Sequence, residues 1–430
     1  MCPSFVRLGR TPRIAAVKMS ASDKIMQRID ALAKISEEPG KITRTFASRA
    51  MYRANKLVAQ WMREAGMKTR TDAIGNLIGH YDGQKTGAKL FLLGSHLDTV
   101  RNAGKFDGPL GIMLAIACVD HLHHQKIRLP FAIQVIGFAD EEGVRYQTAY
   151  LGSKVLAGCF DKENLRRRDA GGISMADAIK RFGGNPAKLS FARLNPKQLV
   201  GYVEAHIEQG PILEKQNLAA GIVRAIAGQT RARISFLGRA GHAGTTPMHQ
   251  RKDALCAAAE FMVAVEKLAK NTDGLVATVG EIAALPGAGN VIPGEARLSL
   301  DVRHEKDSIR KSAHSMLKST ATQIARRRLL QCDYEVVHET AAANCSSDLS
   351  QLLGQSARRR QKRLILLASG AGHDAAVMAG ITPSAMLFIR CKNGISHHPD
   401  ESVKVQDVQI ALEILNDFLL SLGEQYGCAP

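Results

Sequence analysis

The stretch SHLDTVRNAGKFDG, Ser95–Gly108, sets His96, Asp98 and Asp107 in one glycine-containing loop directly after the apolar run Leu90–Leu93. Further along the chain stand Glu141 and Glu142 in ADEEG, His206 in YVEAHIEQGP, and His397 and His398 in GISHHPDE. Imidazoles and carboxylates without a cysteine suit Zn²⁺, Mn²⁺, Co²⁺ or Ni²⁺, and a carboxylate such as Asp107 can bridge two ions about 3.5–4 Å apart. The glutamate pair extends that chemistry. One carboxylate can hold a metal while the other takes a proton from the attacking water and passes it to a leaving nitrogen. Plainer readings exist for each residue: paired glutamates are common on surface loops, and an isolated histidine is usually a surface or core side chain. His373 and Asp374, in the glycine-rich loop Ser369–Asp374, stay open at this level.

These groups lie far apart in sequence, so the fold has to gather them. Ser22 and Asp23 can cap a helix with apolar positions Ile25, Ile29 and Leu32, and a second helix is predicted from Arg49 to Ala65. Three short apolar runs follow, Asn76–His80, Leu90–Leu93 and Phe131–Ala139, with the helical stretch Leu110–His123 between the last two. That alternation predicts an α/β fold with a mixed or parallel sheet, in which ligands bind beyond the carboxyl ends of the strands. The opening loop, the ADEEG loop and the end of the strand Gly201–His206 all fall on that rim. From about Leu218 to Arg328 the pattern changes to strands and two long helices, which predicts a β-α-β-β-α unit inserted into the larger domain. The strand-like Arg363–Leu367 and Ala385–Ile389 and the amphipathic Val405–Leu422 then return to the α/β pattern of the N-terminal half. The expected division is 1–212 with 329–430 for a discontinuous first domain, and 213–328 for the insert.

At 430 residues, 45% of them apolar, the chain can build two cores. No stretch approaches the roughly 18–20 uninterrupted apolar residues of a membrane-spanning helix, so no membrane partner is expected. The net charge of +18 comes without a nucleic-acid-binding module and with only 5% aromatic residues, which favours an anionic small substrate over nucleic acid. The basic runs Arg166–Arg168 and Arg326–Arg328 read as solvated faces. Eight scattered cysteines, without a CxxC, fit thiols in a reducing compartment and predict a cytoplasmic protein. Residues 1–22 carry Arg7, Arg10, Arg13 and Lys18 with no acid, which faintly resembles a transit peptide; a start at Met19 explains the same stretch.

Taken in order, GSHLDTV, KFDGPLG, ADEEG, YVEAHIEQGP, GRAGHAGTTPM, GNVIPG, LDVRH, SGAGHDA and GISHHPDE resemble the M20 metallopeptidase-like amidohydrolases. The similarity is greatest to the branch of allantoate amidohydrolases, N-carbamoyl-L-amino acid hydrolases and β-ureidopropionases. It implies a catalytic domain of the zinc-exopeptidase type with an inserted α+β dimerisation or lid domain. It further implies two divalent ions, Zn²⁺ or Mn²⁺ with Co²⁺ or Ni²⁺ as alternatives, held by His96, Asp107, Glu142, His206 and His397. Asp107 would bridge the ions, with His96 and His206 on one side and Glu142 and His397 on the other. His398 leaves a second imidazole beside that position, and the Ser-His-x-Pro alignment favours His397. Glu141 would be the general base and Asp98 the residue that orients His96. His206 stands where peptidases of the superfamily typically carry aspartate, which favours ureido substrates over peptides. The resemblance implies a homodimer in which the lid reaches over the other copy's site, with Gln209, His242, Asn290 and Arg303 touching substrate. His242 would stabilise the oxyanion and Arg303 grip a carboxylate. The implied reaction is hydrolysis of a linear amidine or ureido C–N bond, allantoate foremost, releasing ammonia and carbon dioxide. N-carbamoyl-L-amino acids and β-ureidopropionate are the alternative substrates, and a non-catalytic binding scaffold is the distant one.

Overall fold

The computed structural model of the chain describes residues 19–427. The basic N-terminal stretch therefore lies almost wholly outside the described residues. A nine-stranded mixed sheet forms one layer system and a five-stranded antiparallel sheet the other. In the large sheet, Ala132–Phe138, Leu90–His96, Leu199–Ile207 and Ser384–Ile389 lie side by side and parallel. Leu77–Tyr81 and Ala220–Ile226 flank this block in antiparallel sense. The central strands are buried almost throughout. They read as continuous apolar runs because helices cover both faces of a parallel block. Ala21–Ala33, Pro109–His124 and Val405–Gly427 pack one face through Ile29, Ile112, Phe418 and Leu419, all fully buried. On the other face a second cluster gathers Leu92, Ile136, Phe138, Tyr202 and Phe388.

The small sheet shows the opposite pattern. Gly228–Leu237 alternates buried and open positions and pairs over its whole length with Glu295–His304, from Gly228 opposite His304 to Leu237 opposite Glu295. One face carries helices Ala254–Lys270 and Asp307–Arg327, closing a core of Phe236, Phe261, Leu300 and Leu317. The other face is left open, which is why the alternation is visible in the sequence.

Three details depart from the sequence-based expectation. The first helix is capped by Ser20, whose side chain accepts from the Asp23 amide, so Ser22 already sits inside it. Ala220–Ile226 belongs to the large sheet, whereas Gln331–Thr340 is an edge strand of the small one. The strands of the small sheet thus fall between Gly228 and Thr340. Gln331–Thr340 is mostly exposed and polar on both faces, so it carries little alternation to read. Among the described residues no helix is long and apolar enough to cross a membrane. Six described cysteines are free thiols.

Candidate metal centre

The four parallel strands end at one rim, and each delivers part of the site. His96 closes Leu90–His96, Glu141 and Glu142 follow Ala132–Phe138, His206 lies near the end of Leu199–Ile207, and Ser396 and His397 follow Ser384–Ile389 through a loop. Asp107 comes from the loop that returns after His96. Gly108, at φ +80°, lets that loop pass against the histidine: a Cβ there would stand 2.5 Å from His96 Cε1.

His96 and His206 face each other across 3.5 Å, Nε2 to Nε2. Asp107 Oδ1 lies 3.3 Å from the first and 3.2 Å from the second. His96 Nδ1 donates to the Asp98 carbonyl at 3.0 Å and His206 Nδ1 to the Ile207 carbonyl at 2.9 Å. A carbonyl only accepts, so the Nδ1 atoms carry protons, and both Nε2 atoms are turned toward Asp107, where each can present its lone pair to a cation. Asp107 Oδ1 is buried without a hydrogen-bond partner. His96 and His206 are each 1% exposed and Asp107 5%. Two lone pairs and an anionic oxygen converging in a dry place repel one another unless a cation stands among them. The titration of the pair shows that positive charge is favoured at this point, carried by protons on the rings or by a metal ion in their place. Burial opposes a charge on His96, but Asp107 and Asp98 outweigh it and raise that imidazole well above its ordinary value. His206 rises as well, with burial again overcome by Asp107. The donor set and the orphaned oxygen fit a divalent metal ion.

A second group shares Asp107. Its Oδ2 lies 3.5 Å from His397 Nε2, and the same nitrogen is 3.5 Å from Glu142 Oε1. Burial and Asp107 push Glu142 up to about 8. His397 is 48% exposed, and His398 is turned away, with Nδ1 accepting from the Asp400 amide. Gln209 Nε2 donates to Asp107 Oδ2 at 2.6 Å and sits 3.5 Å from His397 Nε2. Gln209 and His397 both occupy the left-handed region, at φ 56° and 58°, where non-glycine residues sit at a cost and cluster at functional sites.

Asp98 contacts His96, as expected of a residue that orients it, and also reaches the glutamate loop. Its carbonyl orients His96, while its carboxylate takes the amides of Glu141 and Glu142, each at 3.1 Å, and lies 3.6 Å from His96 Nδ1. The side chain thus fixes the glutamate loop, leaving Glu141 buried and, through burial first and Glu142 and Asp98 next, raised well above an ordinary glutamate.

Several functional neighbours are not apparent from the sequence. Glu401 Oε1 accepts from the Phe106 and Asp107 amides, at 2.7 and 3.0 Å, and its Oε2 meets Ser396 Oγ at 3.2 Å. Ser396 Oγ in turn donates to Asp107 Oδ2. Glu401 therefore ties the Asp107 turn to the His397 loop, and its one sequence signal is the acid closing GISHHPDE. Asp140, the first acid of ADEEG, is buried and raised by burial and by Asp98. His373 is buried with its ring 4.6 Å from His206 and Nε2 at 2.9 Å from Ser369 Oγ. Glu204, His206 and His373 form a further candidate ligand group. Asp374 is sealed against Ser153.

The insert's residues stand apart from these clusters. His242 lies on a two-stranded ribbon opposite Val291, and its Nδ1 accepts from the Gly244 and Thr245 amides at 3.0 and 3.2 Å. Its proton is therefore on Nε2, exposed and ready to donate. The Asn290 carbonyl accepts from the Ala243 amide, joining the ribbon's two arms, and Asn290 itself is exposed. Arg303 is clamped by both oxygens of Asp301 at 3.0 Å and donates Nη1 to the Gly370 carbonyl at 2.8 Å. Of its five N–H groups, one on each terminal nitrogen remains, the pair that grips a carboxylate end-on.

The model of Peptidase family M20/M25/M40 matches residues 92–421. Allantoate deiminase 2 of Glycine max is 39% identical, over 93% of this chain and 89% of that protein. N-carbamoyl-L-amino acid amidohydrolase of Geobacillus stearothermophilus is 38% identical over 94% of this chain and 100% of that one. The crystal structure of an amidase of the hydantoinase/carbamoylase family from Burkholderia multivorans superposes with a TM-score of 0.88 at 29% identity, covering 95% of this chain and 98% of the other. With a family model spanning most of the chain and full-length relatives at this identity, the protein belongs to the M20/M25/M40 peptidase family.

Proposed function

We propose that the protein is a dinuclear-metal amidohydrolase that cleaves a ureido C–N bond of a small anionic substrate, allantoate in the first place. The observation that carries this reading is the pair of Nε2 atoms converging with the orphaned Asp107 Oδ1. His96, Asp107 and His206 would hold one ion, and Asp107, Glu142 and His397 the other. Bound there, divalent ions supply Lewis-acid polarisation of the substrate carbonyl and a nucleophile at neutral pH.

The chain's own residues do the rest. Glu141, fixed at its amide by Asp98, takes the proton of the attacking water and delivers it to the leaving nitrogen. Nitrogen then departs as ammonia, and the carbamate left on the other side loses carbon dioxide. The free Nη edge of Arg303 binds the substrate carboxylate. His242 Nε2–H donates to the oxyanion. As the family resemblance implies, this donor would come from the lid of a second copy in a homodimer. Free thiols on all six described cysteines agree with a cytoplasmic setting.

The relatives' names divide between allantoate and N-carbamoyl-L-amino acids, and both substrates offer a carboxylate and a ureido group to the same residues. Ammonia release from allantoate, N-carbamoyl-L-amino acids, N-carbamoyl-β-alanine and ureidoglycolate, each with Mn²⁺-loaded protein, separates the possibilities. Allantoate is expected to be turned over fastest. Equal rates would remove the substrate assignment, and no ammonia from any of them would leave only a binding scaffold.

A further inference from the structure

A groove of about 1450 Å³ lies beside the rim, between the segment Ser36–Arg53, the loop Val144–Gln147 and the stretch reaching from Arg168 to Phe182. No side chain of the two metal-ligand groups lines it. Six arginines do: Arg49, Arg53, Arg101, Arg145, Arg168 and Arg181, facing only two carboxylates, Glu37 and Asp169. Both acids are already engaged. Glu37 accepts from the amide and hydroxyl of Thr45, and Asp169 is clamped by Arg145 and accepts from the amides of Gly171 and Ile173.

The six guanidinium groups still outnumber the acids around them, Glu37 and Asp169 in the lining with Glu38 and Asp177 beside it. Arg49 and Arg181 are exposed and make no direct side-chain hydrogen bond or ion pair among the described residues, although Asp177 lies near enough to feel Arg181 and Arg168. Arg53 and Arg168 reach only the carbonyls of Ser36 and Gly172. Arg101 meets Glu38 at 3.4 Å on the open surface, a contact worth little. Like charges gathered around one space raise its potential and concentrate counter-ions there. Guanidinium forks are the side chains best shaped for two-point contact with phosphate. Tyr52, 57% exposed, stands edge-to-face with Phe182 at 6.1 Å and gives the same wall a ring.

We propose that this groove is a second ligand site, separate from the metal centre, which binds a small polyphosphate anion, either free or carried on a nucleoside. Calorimetric titration of metal-replete protein with Mg²⁺-saturated triphosphate, ATP and adenosine, at about 0.15 M salt, tests it. The expected result is binding of triphosphate and ATP, at least tenfold weaker in the R49A/R181A double variant, with adenosine silent. Both arginines are exposed, so the variant should melt at the wild-type temperature. ATP binding tighter than triphosphate, with the difference abolished by Tyr52→Ala, assigns the ligand to nucleotides; equal binding assigns it to free polyphosphate. Unchanged binding in the double variant, or no binding of either phosphate probe, overturns the proposal.

Discussion

The two groups that share Asp107 are built in contrasting ways. On the His96–His206 side, the strands themselves aim the ligands: each imidazole is pinned through Nδ1 to a carbonyl at the end of its own strand, and the group is sealed from water. On the Glu142–His397 side, the ligands ride on loops, distances open to 3.5 Å, His397 is half-exposed and two residues sit in left-handed conformations. Strand-borne ligands are preorganised, and loop-borne ligands can shift. The first half is thus a rigid receptacle and the second an adjustable one, which suits a site that must hold metal while admitting and releasing substrate.

The largest effect should come from the residue both halves share. Asp107→Asn removes the carboxylate that lies against His96, His206 and His397 alike, so the variant is expected to lose both metal equivalents by elemental analysis. Turnover should fall by about 10⁴-fold, since several kcal/mol of charge stabilisation disappears. Full retention of either ion would show that the halves do not depend on a common bridge.

Glu141→Gln is next. Glu141 stands with His96 and Glu142 in one candidate ligand group; on the proposed reading it acts on the proton and not on the metal, so kcat should drop by about 10²- to 10⁴-fold with metal content unchanged. A parallel loss of metal would make Glu141 a ligand and erase the division of labour between the two glutamates.

The contrast itself is tested by comparing His206→Ala with His397→Ala. Truncating the pinned, buried ligand should empty one position beyond recovery at micromolar metal. Truncating the exposed one should weaken the other position by roughly 10- to 100-fold, recoverable by added Mn²⁺. Equal losses would mean that burial and loop geometry do not set affinity.

Much of this centre is legible in the sequence because parallel strands advertise themselves. Leu90–Leu93 and Phe131–Ala139 are apolar runs ending in polar clusters, so the rim and its ligands can be read together. What stays hidden depends on contacts between distant segments. Glu401 looks like one acid after a proline-containing turn, yet it reaches back to the amides of Phe106 and Asp107. The second contact of Asp98, its carboxylate on the Glu141 and Glu142 amides, is hidden because sequence does not reveal which group of a residue meets which neighbour. The sheet to which Ala220–Ile226 belongs is hidden for a similar reason: it carries the same apolar pattern in either sheet, and its pairing with Ser384–Ile389 and Leu366–Ser369 decides.

The smallest effect, and the sharpest, concerns Glu401. Ser396 Oγ has one proton and lies between two carboxylates, those of Asp107 and Glu401. It can donate to only one of them. Glutamine at 401 keeps an acceptor for the Phe106 and Asp107 amides and offers an N–H to Ser396 Oγ, which frees the hydroxyl proton for Asp107. Glu401→Gln should therefore change metal affinity by no more than about threefold, within the range of a single neutral hydrogen bond. Glu401→Ala strands two amides and unties the turn from the His397 loop, and is expected to cost about 10- to 100-fold in metal affinity, as removal of supporting partners usually does. Because Glu401 braces the loop side and leaves the strand-pinned imidazoles untouched, that loss should fall on the weaker ion, read by titrating metal-stripped protein with Mn²⁺. Loss of the tighter ion instead would mean that the Asp107 turn, and not the strand ends, holds the buried half together.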